Sequence, residues 1–325
     1  MSVEPILNPD NSQLTMFPIK YDKIRKCYKD QVACFWTPEE IDFSKDYEDF
    51  LKCSPDEQHF IKMILAFFAS SDGIVNWNLS ERFIKDVQIM EAKTAYTFQM
   101  AMENIHSEVY SLMLENLIKN KDEKTYLFEA IKTVDSVKLM SEWAIRWISS
   151  SESYAKRLVA FAIIEGIMFS GAFAAIFWIK KYKGNGSQFL QGLVKSNEFI
   201  ARDEGLHTVF ACEMYKLLEN KLTQEELQKI IKEGVIISKI FITESLPCRL
   251  IGINSDSMCQ YIEYVADTLS INLGYNKIYN SDNPFSFMNT IGMTQKTNFF
   301  ESRPTEYQRA SVFNTSKVII NNEDF

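Results

Sequence analysis

A Glu-x-x-His motif occurs twice in this chain, and each copy lies within a long segment of helical periodicity. In the first copy, Glu103, His106 and Tyr110 are spaced so that their side chains fall on nearly the same face of an α-helix. The second copy is Glu204 and His207. The chain has only 3 histidines, so two of them belong to this motif. The repeat favours a helical fold organised around a metal site with a phenol beside it.

The composition supports a large helical core and excludes several other classes. Of 325 residues, 46% are hydrophobic, while only 11 are Gly and 8 are Pro, which disfavours a β-rich or loop-rich fold. The net charge of −8 without a basic stripe argues against nucleic-acid binding. The 6 cysteines form no C-x-x-C pair, and the amino terminus has no apolar signal segment. We therefore expect reduced thiols and a cytoplasmic protein.

Capping signals divide the chain into long helices. Thr37, Ser54 and Thr223 are each followed three residues later by Glu, which is the pattern of a capping box at a helix start. We expect an N-terminal extension over 1–36, which looks irregular, a bundle over 37–285 and an extended C-terminal tail over 286–325. A shorter pair of helices is predicted within 122–148. The long predicted helices run from Ser54 to about Phe83, from Val87 to Lys119, from Leu158 to Tyr182, from Ser187 to Leu218, from Thr223 to Ser245 and from Ser255 to Leu273.

The segment from Leu158 to Ile179 is almost entirely apolar, and Glu165 is its only charge. Its length would also fit a membrane span. A helix that is apolar on every side can instead be the buried centre of a large helical protein. We favour the buried helix and no membrane association, because a metal ion would then be a partner for Glu165.

Four acids lie in apolar helical surroundings, and two of them have a histidine one turn later. Alone, each could be an ordinary surface charge, and His59 is expected to be a surface or packing histidine. Together they match the ligand set of ferritin-like di-metal carboxylate bundles. Four carboxylates balance two divalent cations, and oxygen-rich donors with two imidazoles suit iron or manganese. The predicted ligands are Asp72, Glu103, His106, Glu165, Glu204 and His207.

The segments around these residues resemble the small subunit of class I ribonucleotide reductase, of the eukaryotic and viral type. The likeness extends from Phe35-Trp36 nearly to the end of the chain. It is carried by Ser71-Asp72-Gly-Ile-Val-Asn76, Glu103-Asn-Ile-His106-Ser-Glu-Val-Tyr110, Glu165-Gly-Ile-Met-Phe-Ser-Gly171 and Arg202-Asp203-Glu204-Gly-Leu-His207.

This resemblance implies an all-α, ferritin-like protein that holds two iron ions per chain, oxo-bridged when oxidised, with manganese the less expected metal. It implies a stable radical on Tyr110 and a relay through Trp36, His106, Asp203 and Tyr307. It further implies a homodimer whose tail, ending in Phe325, docks on a large subunit that reduces ribonucleotides to deoxyribonucleotides.

The residues themselves suggest how the relay and the radical site are arranged. Asp203 adjoins Glu204 but lies about 100° further around the helix, so it could bind the second nitrogen of His106 and the indole N–H of Trp36. Phe169, Phe173 and Ile200 could form an apolar wall around Tyr110; each could equally be plain core.

Two other functions remain open at this point. One is a ferroxidase or di-metal oxidase on the same bundle, with no large-subunit partner. The other is a regulatory protein with a degenerate site, against which the complete ligand set argues.

Overall fold

The computed structural model describes residues 4–183, 189–245 and 253–290. Every regular element within these ranges is helical, which confirms the all-α class. Tyr307 and Phe325 lie outside the described residues. The α-helices are α1 Asp22–Ala33, α2 Asp46–Leu51, α3 Pro55–Asn78, α4 Ile84–Asp86, α5 Met90–Leu117, α6 Lys121–Phe128, α7 Ala130–Thr133, α8 Asp135–Ser149, α9 Tyr154–Ile163, α10 Ser170–Lys183, α11 Gln191–Lys216, α12 Gln224–Ser245 and α13 Ser255–Asn272.

Shorter helical pieces connect or interrupt these helices. Two are π-helical, and each continues the α-helix before it. The others are 3₁₀ turns. The π segments are Leu79–Phe83 and Ile164–Met168, and the 3₁₀ turns are Pro5–Leu7, Pro9–Asn11, Pro38–Glu40 and Ser286–Thr290.

The long helices pack around one continuous core. Helix α5 lies against α3, α1 and α11, while α11 also contacts α9, α10 and α1. Helices α12 and α13 cover the far side of α9 and of the π segment that follows it. The four elements that carry the predicted acids therefore meet in the interior of the bundle.

Two of the three predicted capping boxes open long helices. At α3, Ser54 and Glu57 exchange hydrogen bonds, with 2.8 Å from Ser54 N to Glu57 Oε2. Thr223 and Glu226 do the same at the start of α12. Both starts are where the sequence predicts them, because a capping box depends only on residues within one turn.

The third box, at Thr37, forms but opens only the 3₁₀ turn Pro38–Glu40. The next residue, Ile41, is extended and buried. The prediction of a helix start at Thr37 is therefore wrong in extent: a cap satisfies the first turn, and tertiary packing decides whether the helix continues.

The first 36 residues are less irregular than expected. They include α1, which packs on α5 and α11 and buries Ile24, Cys27 and Gln31. Its start is fixed from elsewhere, because Glu91 of α5 accepts the backbone N–H groups of Lys20 and Tyr21 at 2.8 and 3.2 Å. The contact that positions this start comes from a residue 70 positions away in sequence, so local spacing does not show where the helix begins.

Helix α11 begins at Gln191 rather than at Ser187. The residue before it, Leu190, has a φ of 49°. The Asp46 carboxylate accepts the N–H groups of Gly192 and Leu193 at 2.9 and 2.7 Å. This cap comes from α2, so the sequence around residue 190 could not show it.

Two helical stretches, Pro55–Asp86 and Tyr154–Lys183, are long and apolar enough to cross a membrane. The most apolar 18-residue window of the second has a mean hydropathy of 2.0 and is 100% buried within the protein. Its apolar character is thus accounted for by neighbouring helices, as expected for a core helix. The predicted single helix is interrupted, because Ile164–Met168 around Glu165 is π-helical.

Candidate metal centre

Four helical elements bring the six predicted ligands to one buried place. All six residues are buried, and none is more than 2% exposed. On α5 and α11, acid and histidine are three residues apart and so face the same side. The contributions are Asp72 from α3, Glu103 and His106 from α5, Glu165 from the π segment, and Glu204 and His207 from α11.

The six residues form two adjoining groups that share one acid. Glu103, Glu165, Glu204 and His207 make up the first, and Asp72, Glu103 and His106 the second. Within each group the ligand atoms lie within 4.8 Å of one another. The arrangement suits two neighbouring cations with Glu103 between them.

Both histidines turn Nδ1 towards the acids. His106 Nδ1 lies 3.1 Å from Glu204 Oε1 and 3.3 Å from Glu103 Oε2. His207 Nδ1 lies 2.9 Å from Glu103 Oε1 and 3.2 Å from Glu204 Oε2. Nδ1 is therefore the nitrogen that each imidazole offers to a cation.

Many polar atoms of the cluster make no well-directed hydrogen bond, although acid and imidazole atoms lie 2.9–3.3 Å apart. They include both oxygens of Glu103, Nδ1 of His106, Oδ2 of Asp72, Oε2 of Glu165 and Oε1 of Glu204. Buried polar atoms are normally paired, and unpaired ones are costly. Cations would satisfy all of these atoms together, and the oxygen-rich set with two imidazoles fits iron or manganese.

Three of the four acids have pKa values shifted from the ordinary range. Burial, followed by the charges of neighbouring carboxylates, raises the pKa of Asp72 and of Glu165 well above the ordinary range. Burial would also raise the pKa of Glu204, but the adjoining Glu165 carboxyl group and the nearby His207 hold it below the ordinary value. The cluster can be neutralised by protons or by divalent cations, and cations would displace the protons.

On the outer side of His106, Asp203 joins two rings. Its Oδ2 accepts the indole N–H of Trp36 at 2.7 Å and lies 3.2 Å from His106 Nε2. Both hydrogen bonds suggested by the sequence are present. Burial alone would raise the pKa of Asp203, but Arg202, His106 and Trp36 keep it below the ordinary value. An ionised Asp203 fixes the His106 tautomer that leaves Nδ1 free for a cation.

Tyr110 is 2% exposed, and its hydroxyl has no hydrogen-bond partner. Burial, and then the nearby Asp72 carboxylate, raises its pKa well above the ordinary range, so the phenol is neutral. Phe68 stacks on it, with ring centroids 4.5 Å apart and an interplanar angle of 7°. Phe169 and Phe173 pack on Phe68 at 5.6 and 5.0 Å.

Sequence reasoning missed Phe68. The available signal was its spacing, because it precedes Asp72 by four residues and so lies on the same face of α3. Of the remaining predicted residues, Ile200 is buried on α11 and His59 is exposed.

Comparisons with known proteins give one consistent result. A family model described as "Ribonucleotide reductase, small chain" matches residues 13–284. A ribonucleoside-diphosphate reductase small chain from Yaba-like disease virus is 55% identical over 317 residues, which cover 97% of this chain and 96% of that one. The one from Nicotiana tabacum is 52% identical over 312 residues, covering 96% and 93%.

Comparison with solved structures gives the same family. The structure of the Rnr4 homodimer from Saccharomyces cerevisiae superposes with a TM-score of 0.79 at 41% identity. The superposition covers 87% of this chain and 88% of that chain. The ferritin-like helical architecture predicted from the ligand pattern is thereby confirmed.

Proposed function

Because this chain belongs to the ribonucleotide reductase small-chain family, we propose that its buried cluster holds two iron ions and that Tyr110 carries the radical used in nucleotide reduction. The chain is the small subunit of a ribonucleoside-diphosphate reductase. A small chain implies a large-subunit partner, and the homodimeric relative implies pairing with a second copy. We place the assembly in the cytoplasm.

The position of Tyr110 carries the proposal. It lies one helical turn after His106, and its hydroxyl is buried without a partner. Bound ferrous ions would supply reducing equivalents for oxygen activation next to this phenol. Oxygen reduced there would accept one electron and one proton from the neutral phenol, which would become a phenoxyl radical, and the apolar rings beside it would exclude water and reductants.

Trp36, Asp203 and His106 are proposed to conduct the oxidising equivalent outwards. Oxidation of an indole makes its N–H more acidic. Asp203 Oδ2, which accepts that N–H at 2.7 Å, would hold the proton while Trp36 has lost an electron. Asp203 is ionised beforehand, because its pKa lies below the ordinary value, so it carries no proton of its own when the indole becomes acidic.

Tyr307 and the terminal Phe325 extend this proposal beyond the described residues. Tyr307 would continue the relay from the bundle towards the large subunit. The acidic end of the chain, closing with Phe325, would provide the docking segment. Both assignments rest on the resemblance of the tail motif.

The test is to add ferrous iron and oxygen to the metal-free protein and to record metal content and electron spin resonance. We expect two iron ions per chain and an organic radical signal, and we expect Tyr110→Phe to keep the iron and lose the signal. Tyr96→Phe is the control, since Tyr96 is equally buried but pairs with Tyr154 at 3.2 Å. Iron oxidation without any organic radical in the unmodified protein would instead favour a ferroxidase.

A further inference from the structure

Gln99 is a buried amide on α5 that none of the roles above employs. It is 0% exposed and precedes Glu103 by four residues, so both side chains project from the same face of the helix. Its Nε2 donates to Glu165 Oε1 at 3.1 Å. Its own Oε1 has no hydrogen-bond partner. A fold that needed only to fill this space would be better served by an apolar side chain of similar size.

The hydrogen bond from Gln99 gives the two carboxylate oxygens of Glu165 different surroundings. Oε1 is fixed by Gln99, whereas Oε2 has no hydrogen-bond partner. Oε2 is also the oxygen that lies 3.8 Å from His207 Nδ1. One carboxylate oxygen is therefore anchored to α5, and the other is left to the group formed with Glu103, Glu204 and His207.

We propose that Gln99 is a positioning residue that orients the Glu165 carboxylate so that Oε2 faces the cation. The inference rests on the proposed function, because it requires the cluster to hold two cations. It also predicts an asymmetry. The group of Asp72, Glu103 and His106 does not include Glu165, so Gln99 should act on one of the two cation positions.

Manganese(II) is a suitable probe, because bound and free ions are distinguished by the spin resonance of the free ion and no turnover is needed. Removing an outer hydrogen-bond partner of a metal ligand typically weakens metal binding by about 10–100-fold. In Gln99→Met, which keeps the side-chain length but has no donor, we expect one ion to bind as in the unmodified protein. The second should bind about 10–100-fold more weakly.

Gln31→Met is the matched control. Gln31 is also a buried glutamine, 3% exposed, with no hydrogen-bond partner for either amide atom, and it is not part of either cation group. The Gln31→Met variant should bind both ions as the unmodified protein does. Circular dichroism and the melting temperature of every variant establish that the fold is kept, and Gln99→Leu replaces Gln99→Met if the latter does not fold.

Three results would overturn the inference. The first is two ions bound with unchanged affinity in a folded Gln99 variant. The second is equal weakening of both ions together with a lowered melting temperature, which would indicate a general packing role. The third is failure of the unmodified protein to bind two ions, which would remove the dimetal proposal itself; the first two outcomes leave that proposal intact.

Discussion

Phe68 is the residue that best shows how Tyr110 is enclosed. Its ring stacks on the phenol with the ring centroids 4.5 Å apart, and the rings of Phe169 and Phe173 pack in turn against Phe68. No polar side chain pairs with the Tyr110 hydroxyl within the described residues. A radical on Tyr110 would therefore be surrounded by groups that neither reduce it nor hydrogen-bond to it.

We predict that Phe68→Leu forms the radical but loses it several-fold faster than the unmodified protein. Leucine is smaller and leaves one face of the phenol open to water and to small reductants. The measurement is the half-life of the radical signal, with and without a small reductant. Phe161→Leu makes the same change at another fully buried phenylalanine, which packs on Phe83 at 4.9 Å, and it should leave the half-life unchanged. Equal half-lives for the Phe68 variant and its control would contradict the shielding role.

Helix α3, which carries both Phe68 and Asp72, depends on its first turn for its position. Glu57 completes the capping box with Ser54 and pairs with Lys183 at the end of α10. Burial would raise the pKa of Glu57, but the Lys183 ammonium and the Ser54 N–H hold it below the ordinary 4.5. One carboxylate thus caps α3 and ties it to α10.

Glu57→Gln should lower stability by roughly 0.5–1 kcal/mol at neutral pH, a value limited by the partial exposure of Lys183. Glutamine keeps an oxygen for the Ser54 N–H, so the change removes mainly the charge. Because the folded-state pKa is depressed, the folded protein binds fewer protons than the unfolded one. The contribution is therefore complete above pH 4.5 and is lost as the pH falls through the folded-state value.

The measurement for Glu57→Gln is the difference in melting temperature from the unmodified protein as a function of pH. This difference should shrink in acid. Glu123→Gln, at a more exposed carboxylate paired with Lys62 at 2.6 Å, should show a smaller effect. A difference that stays constant from neutral to acidic pH would rule out the ionised pair as its cause.

At the scale of elements, the sequence predicts what local spacing determines. The capping boxes at Ser54 and Thr223 and the i, i+3 pairing of each acid with its histidine follow from contacts within one turn. The start of α11 at Gln191 and the helix before Trp36 depend on Asp46 and Glu91, which lie far away in sequence. The π segments require shifted backbone hydrogen bonds, for which side-chain periodicity gives no signal.

The residues of the candidate site also fall into those that the sequence predicts and those that only the packed structure reveals. The six acids and histidines, Tyr110, and the partners of Asp203 could be proposed from spacing and resemblance. Spacing places Phe68 and Gln99 on the same helix faces as Asp72 and Glu103, but it does not reveal their roles. Each acts on a residue of another element, so its role appears only when α3, α5 and the π segment are packed together.

For the molecule as a whole, cations bound to the cluster would cross-link α3, α5, α11 and the π segment. Since cations would bind the folded cluster and not the unfolded chain, they should stabilise the fold. At an ion concentration 100 times the dissociation constant, one site contributes about 2.7 kcal/mol. We predict that chelation lowers the melting temperature by roughly 5–10 °C and that adding ferrous or manganous ions restores it. A melting temperature that does not respond to either treatment would argue against a dimetal centre.

The assembly with a large subunit gives a second prediction at this scale. Removing residues 321–325, Asn-Asn-Glu-Asp-Phe, should leave iron content and the radical signal unchanged, because all six proposed ligands lie within the bundle. Nucleotide reduction in a mixture with the large subunit should fall to background. An internal control is the full chain mixed with an excess of a peptide of the last residues, which should inhibit by competition. Full turnover by the shortened chain would show that docking lies elsewhere.

The apolar stretch Tyr154–Lys183, whose most apolar 18-residue window is fully buried, has a consequence for biosynthesis. The helices that cover it, α11, α12 and α13, all follow it in the chain. As the protein leaves the ribosome, this apolar stretch emerges while three of the helices that cover it are still untranslated. The nascent chain must pass through an interval in which that surface is open to chaperones or to other nascent chains, and folding of the centre has to wait for α11, α12 and α13.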